Sequence, residues 1–207
     1  MRIDETSTSG LETPQPTGVT PLARARIERA VREILEAFGE DPTREGLRET
    51  PRRVASMYAE MFAGLGRDPT ELLQVTFDED HHDLVFLRDV PFHSLCEHHL
   101  LPFSGVVHVA YVPSGRVVGV SKLARVVDLL ARRPQLQERL TGQIADVIER
   151  ELAPHGVGVV VAAEHTCMAI RGVRASGARM ITSALRGCLR EDPVARADFL
   201  ALAGGQP

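Results

Sequence analysis

The chain has no tryptophan, only two tyrosines and seven phenylalanines among 207 residues. With aromatics at 4% and hydrophobics at 43%, its core must be aliphatic, built on Val, Leu, Ile and Ala. Cysteine is scarce as well. Three cysteines, an odd number, do not suggest a disulfide framework. In a reducing compartment such residues are metal ligands, reactive thiols or small buried hydrophobes. Lysine is almost missing: Lys122 is the only one among 24 basic residues, a bias that reads as compositional. The net charge of −4 excludes bulk nucleic-acid binding, which wants a basic stripe, but leaves local basic patches open. No stretch approaches the roughly 20 apolar residues of a membrane span. The opening MRIDETSTSGLETPQPTG has no apolar signal-peptide core. The expected location is cytoplasmic, with no membrane and no nucleic-acid partner.

What is present reads as an α+β chain. Residues 1–19 are rich in Thr, Ser, Pro and Gly and are expected to be a disordered tail. Residues 20–68 read as an N-terminal helical region. Leu22, Ile27, Val31, Ile34, Leu35 and Phe38 recur at helical spacing behind Pro21, and Gly39 ends the run. A second helix is predicted from Thr50 as N-cap and Pro51 at its first position, with Val54, Met57, Tyr58 and Phe62 on one face.

Residues 69–207 read as the remaining domain. Strands are predicted over 84–87 and 90–92, and over 105–112. A return strand over 117–120 is expected to pair antiparallel with the latter through the turn at Pro113–Arg116. Ser121 is the expected N-cap of a helix through Leu130, and Pro134 the opening of another. The near-continuous apolar stretch 156–163 predicts a buried strand. Further strands are expected over 166–170 and 180–185, and a last helix over 193–202. Helices on an antiparallel sheet are the expected layout.

Two clusters carry the chemistry. Cys96-Glu97-His98-His99 and, far downstream, His165-Thr166-Cys167 together hold two of the three cysteines and three of the eight histidines. Thiolate and imidazole are the donors zinc prefers. Cys96 and His99 would share a face in a helical turn, and His165 and Cys167 would share one in a strand. Closed structural zinc sites take four protein ligands in paired CxxC spacings, which this chain lacks. Three ligands with an open fourth position describe a catalytic ion. Spacing alone does not choose among His98, His99 and His165 as ligands. Cys188 reads as a buried small hydrophobe, and His81, His82, His108 and His155 as surface or hydrogen-bonded residues.

A second group is cationic. Ser121, Lys122 and Arg125 fall at a predicted helix start, where free N–H groups and the dipole favour anions, and Arg171 follows the second cluster. Taken alone, such a patch is also what a solvated basic face looks like. Gln137-Glu138 on the next helix is either an ordinary exposed pair or a reader of a purine's donor edge.

Several long segments in order, FHSLCEHHLLPFSG, VGVSKLARVVDLLARRPQLQERLT, HTCMAIRGVR and TSALRG, resemble the zinc-dependent GTP cyclohydrolase I family, and DPTREGLRETPRRVASMY fits it too. The resemblance spans about residues 20–202. It implies Zn2+ held by Cys96, His99 and Cys167, with His98 and His165 as an acid/base pair and Ser121 as a further proton carrier. It implies Glu138, with Gln137 beside it, on the guanine. Ser121, Lys122, Arg125 and Arg171 would hold the ribose and triphosphate, and Arg53 would reach the triphosphate from a neighbouring subunit. The implied reaction converts GTP to 7,8-dihydroneopterin triphosphate and formate, the first step of tetrahydrofolate and pterin biosynthesis. The implied architecture is a tunnelling fold with an N-terminal helical extension, assembled as a homodecamer with active sites at subunit interfaces. Two other readings remain: a paralogue on the same fold in a deazapurine pathway, and a zinc- or nucleotide-binding module without turnover.

Overall fold

The computed structural model describes residues 19–204, so nearly all of the expected tail lies outside the described residues. The chain divides into two compact units, one ending at Ala63 and one starting at Gly64.

The first unit is a pair of helices. α1 (Pro21–Ala37) begins behind Thr20, whose hydroxyl accepts the Ala23 N–H at 3.2 Å, a side-chain N-cap followed by proline in the first turn. α2 (Thr50–Met61) starts one residue earlier than expected. Thr50 is already helical, Glu49 occupies the cap, and no side chain bonds there. Arg24 donates to the Ser56 hydroxyl at 2.8 Å, tying the two helices together.

The second unit is α+β. After a 3-10 turn at Pro69–Leu72 come β1 (Thr76–Asp78), β2 (Val85–Cys96), β3 (Pro102–Val112), β4 (Arg116–Val118) and α3 (Val120–Ala131). These are followed by β5 (Pro134–Gln135), α4 (Gln137–Leu152), β6 (Gly156–His165), α5 (Thr166–Ala169), β7 (Arg179–Gly187), α6 (Cys188–Glu191) and α7 (Pro193–Gly204). The main sheet has the order β5-β2-β3-β6-β7. All its pairings are antiparallel except the short parallel contact of β5 with β2.

Strand period two explains both cores. Val157, Val159 and Val161 of β6, with Val107, Val109 and Tyr111 of β3, face α3 and α4. They pack on Leu123, Val126, Leu130, Leu140, Ile144 and Ile148. The intervening Ala110 and Val160 face α6 and α7 and pack with Leu189 and Phe199. That is why residues 156–163 are apolar without alternation: both faces are covered. Gly158 makes room for α7, since a Cβ there would meet the Phe199 ring at 2.8 Å.

Four local expectations are corrected. β4 pairs with β1, a strand the sequence did not announce, and not with β3. Both edges of β3 are already taken by β2 and β6. α3 starts at Val120 with Gly119 as its cap, so Ser121 lies in the first turn. Pro134 sits in β5, and the helix begins three residues later at Gln137. Residues 166–169 form a helical turn instead of a strand, closed by the Ile170 N–H to Thr166 carbonyl bond at 3.0 Å.

Candidate active site

The topology sets the site at one end of the sheet. β2 runs up to Cys96, β3 starts down from Pro102, and β6 runs up to His165. Register places Phe103 opposite His165, Leu95 opposite Pro102, and Cys96 opposite Gln135. The β2–β3 turn, the end of β6 and the start of α4 therefore converge, although they are distant in sequence.

The first cluster is a tight turn. Leu100 donates its N–H to the Cys96 carbonyl at 2.8 Å and adopts a left-handed φ of 52°, which turns the chain back into β3. Within this turn Cys96 Sγ lies 3.8 Å from His99 Nδ1 and 3.9 Å from His98 Nδ1. Cys167 comes from the helical turn α5, whose start is pinned by Thr166 donating to the Pro102 carbonyl at 2.6 Å. The expected same-face pairing of His165 and Cys167 in one strand is thereby replaced. His165 ends β6, and Cys167 reaches the cluster from the following turn.

One donor atom from each of Cys96, His99 and Cys167 lies within 4.8 Å of the other two, so the trio can hold a metal ion. Around a tetrahedral ion bound at usual sulfur and nitrogen distances, donors stand about 3.4 to 3.8 Å apart. The Cys96–His99 separation of 3.8 Å falls in this range, and the Cys167 sulfur lies within 4.8 Å of both. Burial and the neighbouring Cys96 side chain push the Cys167 pKa up, so its thiolate is favoured only beside a compensating positive charge.

Arg171 donates to His99 Nε2 at 2.8 Å. Arginine offers no acceptor, so Nε2 carries a lone pair in this arrangement and Nδ1 the proton. A cation taken through Nδ1 would move that proton to Nε2, opposite a second donor. A cation held there would thus oppose the Arg171 contact.

His165 is held differently. Its ring stacks on Phe103 with centroids 4.5 Å apart and planes 4° apart, and its Nε2 lies 2.8 Å from Gln137 Oε1. Burial lowers its pKa, and the nearby Glu138 charge opposes that shift. Gln137 itself is 1% exposed, facing the interior, whereas the adjacent Glu138 is exposed and lines an open groove with Ser183, Ala184 and Arg186.

The structure thus brings together Cys96, His98, His99, Cys167 and Arg171, and links Gln137, Glu138 and His165 beside them. Ser121, Lys122 and Arg125 lie in the first two turns of α3, with Ser121 and Arg125 exposed; no described side-chain contact joins them to the cluster. Arg53 lies in α2 of the first unit. Two residues escaped sequence reasoning. Arg139 grips the Glu97 carboxylate with both terminal nitrogens, and Phe103 is the platform for His165. Glu97 stood inside the first cluster, but nothing in the sequence named its partner.

A family model for GTP cyclohydrolase I matches residues 27–204, nearly all of the described chain. The chain belongs to the GTP cyclohydrolase I family. Among similar proteins, a GTP cyclohydrolase 1 of Geobacillus sp. is 60% identical over 181 residues, 87% of this chain and 96% of that protein. Those of Bacillus subtilis and of a Dehalococcoides mccartyi strain are 59% and 58% identical over 178 residues each. They cover 86% and 85% of this chain and 94% of each relative. A solved structure, the archaeosine synthase QueF-Like in the apo form, matches 50% of this chain and 93% of its own. Its TM-score is 0.41 and its identity 24%, too slight to bear on fold or function. Among the described residues no helix is long and apolar enough to cross a membrane.

Proposed function

We propose that this chain is a GTP cyclohydrolase I that hydrolyses GTP to formate and 7,8-dihydroneopterin triphosphate, using Zn2+ at Cys96, His99 and Cys167. One observation carries the reading: in a member of this family, those three donors converge within 4.8 Å beside a clamped histidine. A catalytic ion in such a three-ligand site supplies Lewis acidity that makes water a competent nucleophile near neutral pH.

The chain's own groups do the rest. Water adds at C8 of guanine only once N7 is protonated, because the neutral imidazole ring is a poor electrophile. His165 and His98 are the groups to deliver and retrieve that proton. Glu138 accepts the donor edge of guanine and sets C8 toward the cluster, the orienting contribution. After C8 leaves as formate, the ribose opens to a ketose, with Ser121 and the histidines moving protons. Closure onto the freed amine expels one water, so the net reaction consumes a single water. Lys122, Arg125 and Arg171 would hold the triphosphate, Lys122 as a point charge and the arginines bidentately.

The reading extends to assembly. A tunnelling fold would use residues 69–207 as the catalytic domain and 20–68 as the helical extension. Arg53 would complete a neighbour's site in a cytoplasmic homodecamer. The test is GTP turnover by the purified protein, following formate and the oxidised pterin's fluorescence. The expected result is both products, lost on chelation and restored by zinc. Formate without pterin would reduce the activity to ring opening. Neither product from zinc-loaded protein would overturn the reading in favour of the paralogue or the binding module.

A further inference from the structure

The Gln137 amide has its orientation dictated by backbone. Its Nε2 lies 3.1 Å from the Val161 carbonyl, 2.9 Å from the Met180 carbonyl and 3.2 Å from Thr182 Oγ1, while its Oε1 faces His165 Nε2. Carbonyl oxygens only accept, so the end facing them is the NH2 group. A flipped amide would set three oxygens against one another in a site that is 1% exposed.

The hydroxyls agree with this polarity. Thr141 donates to the Gln137 carbonyl at 2.7 Å, which uses its only proton. Thr182, 2.7 Å from the Thr141 oxygen, must therefore be the donor to it, leaving the Thr182 lone pairs toward the Gln137 NH2. Every donor in the network then has an acceptor.

We propose that Gln137 is a positioning residue that holds the Nε2–H of His165 and so leaves Nδ1 as the only ring nitrogen able to exchange a proton with substrate. Oε1 can only accept, so Nε2 must carry hydrogen. The Phe103 face fixes the ring plane. With both amide hydrogens spent on backbone carbonyls, Gln137 has no N–H left for a purine, and the guanine contact falls to Glu138 alone. The inference rests on the reading of His165 as a proton carrier.

The test is ring 15N shifts of His165 in the full-length protein, metal-free and zinc-loaded, by solid-state NMR at a pH where the imidazole is neutral. His165→Gln identifies the signal. The expected pattern has a pyrrole-like Nε2 and a pyridine-like Nδ1. The reverse pattern in the unsubstituted protein overturns the proposal, whether or not any variant folds. Gln137→Met should mix the tautomers and lower kcat about tenfold or more, with KM for GTP and bound zinc little changed. A raised KM with kcat kept would instead make Gln137 a substrate contact and overturn the proposal. Normal turnover by His165→Ala would remove the reading of His165, yet the tautomer would still report whether Gln137 holds that ring.

Discussion

Arg139, two residues into α4, grips the carboxylate of Glu97, which stands directly after Cys96, one of the three residues whose donor atoms converge. This pair ties the Cys96–His99 turn to the helix that carries Gln137 and Glu138. The Arg139 hydrogen bond holds the Glu97 pKa below its usual value, so the tie persists through mildly acidic pH. It is solvent-facing, and screening limits its strength. Arg139→Ala should therefore weaken zinc retention only severalfold, measured by competition with a chromophoric chelator. High salt should produce a similar loss in the unsubstituted protein. A complete loss of zinc would mean that the turn depends on this pair far more than its exposure allows.

Removal of a ligand and removal of a proton carrier should separate. Cys167→Ser is expected to lose bound zinc and GTP turnover together. His165→Ala should keep stoichiometric zinc while its rate falls on the order of 10²–10⁴-fold, the usual worth of a general acid–base group. Metal analysis beside a turnover assay reads both.

The cationic start of α3 should act on binding. Lys122→Ala and Arg125→Ala are expected to raise KM for GTP more than they lower kcat. The unsubstituted enzyme's KM should rise with ionic strength, and that salt dependence should flatten in the variants. Steady-state kinetics across a salt series checks this. Unchanged KM in both variants would return the patch to an ordinary solvated face.

His108 makes stability pH-dependent away from the site. It is buried on β3, stacks on Phe86, and its Nδ1 accepts the N–H of Asp89, which sits at the bulge of β2 with φ 57°. Burial lowers its pKa, the Asp89 charge opposes this, and Arg88 reinforces it. The unfolded chain therefore takes up a proton that the native state refuses. Stability should fall as pH drops below the unfolded value of about 6.5, until the depressed native pKa is reached, and change no further below it. Denaturant titrations between pH 7.5 and 5 should show this slope, and His108→Gln should flatten it.

Much of this protein was legible in one dimension. α1 and α2 announced themselves by apolar period and proline, α4 by its apolar period alone, and β6 by an unbroken apolar run, because local periodicity and burial are read residue by residue. The clusters at Cys96 and His165 named the donors by chemical type. The resemblance narrowed the ligand set to Cys96, His99 and Cys167, and the structure brings those three together. Partnership was decided only by the tertiary structure. β4 pairs with β1 because both edges of β3 were already filled. Cys167 arrives from a helical turn because Thr166 found the Pro102 carbonyl. Gln137, which in sequence is one half of a polar pair, turned inward because two strand carbonyls and a histidine needed what its amide could supply. Hydrogen bonds of that kind join residues tens of positions apart. No period or composition encodes them, since they exist only once the sheet has brought its strands into register.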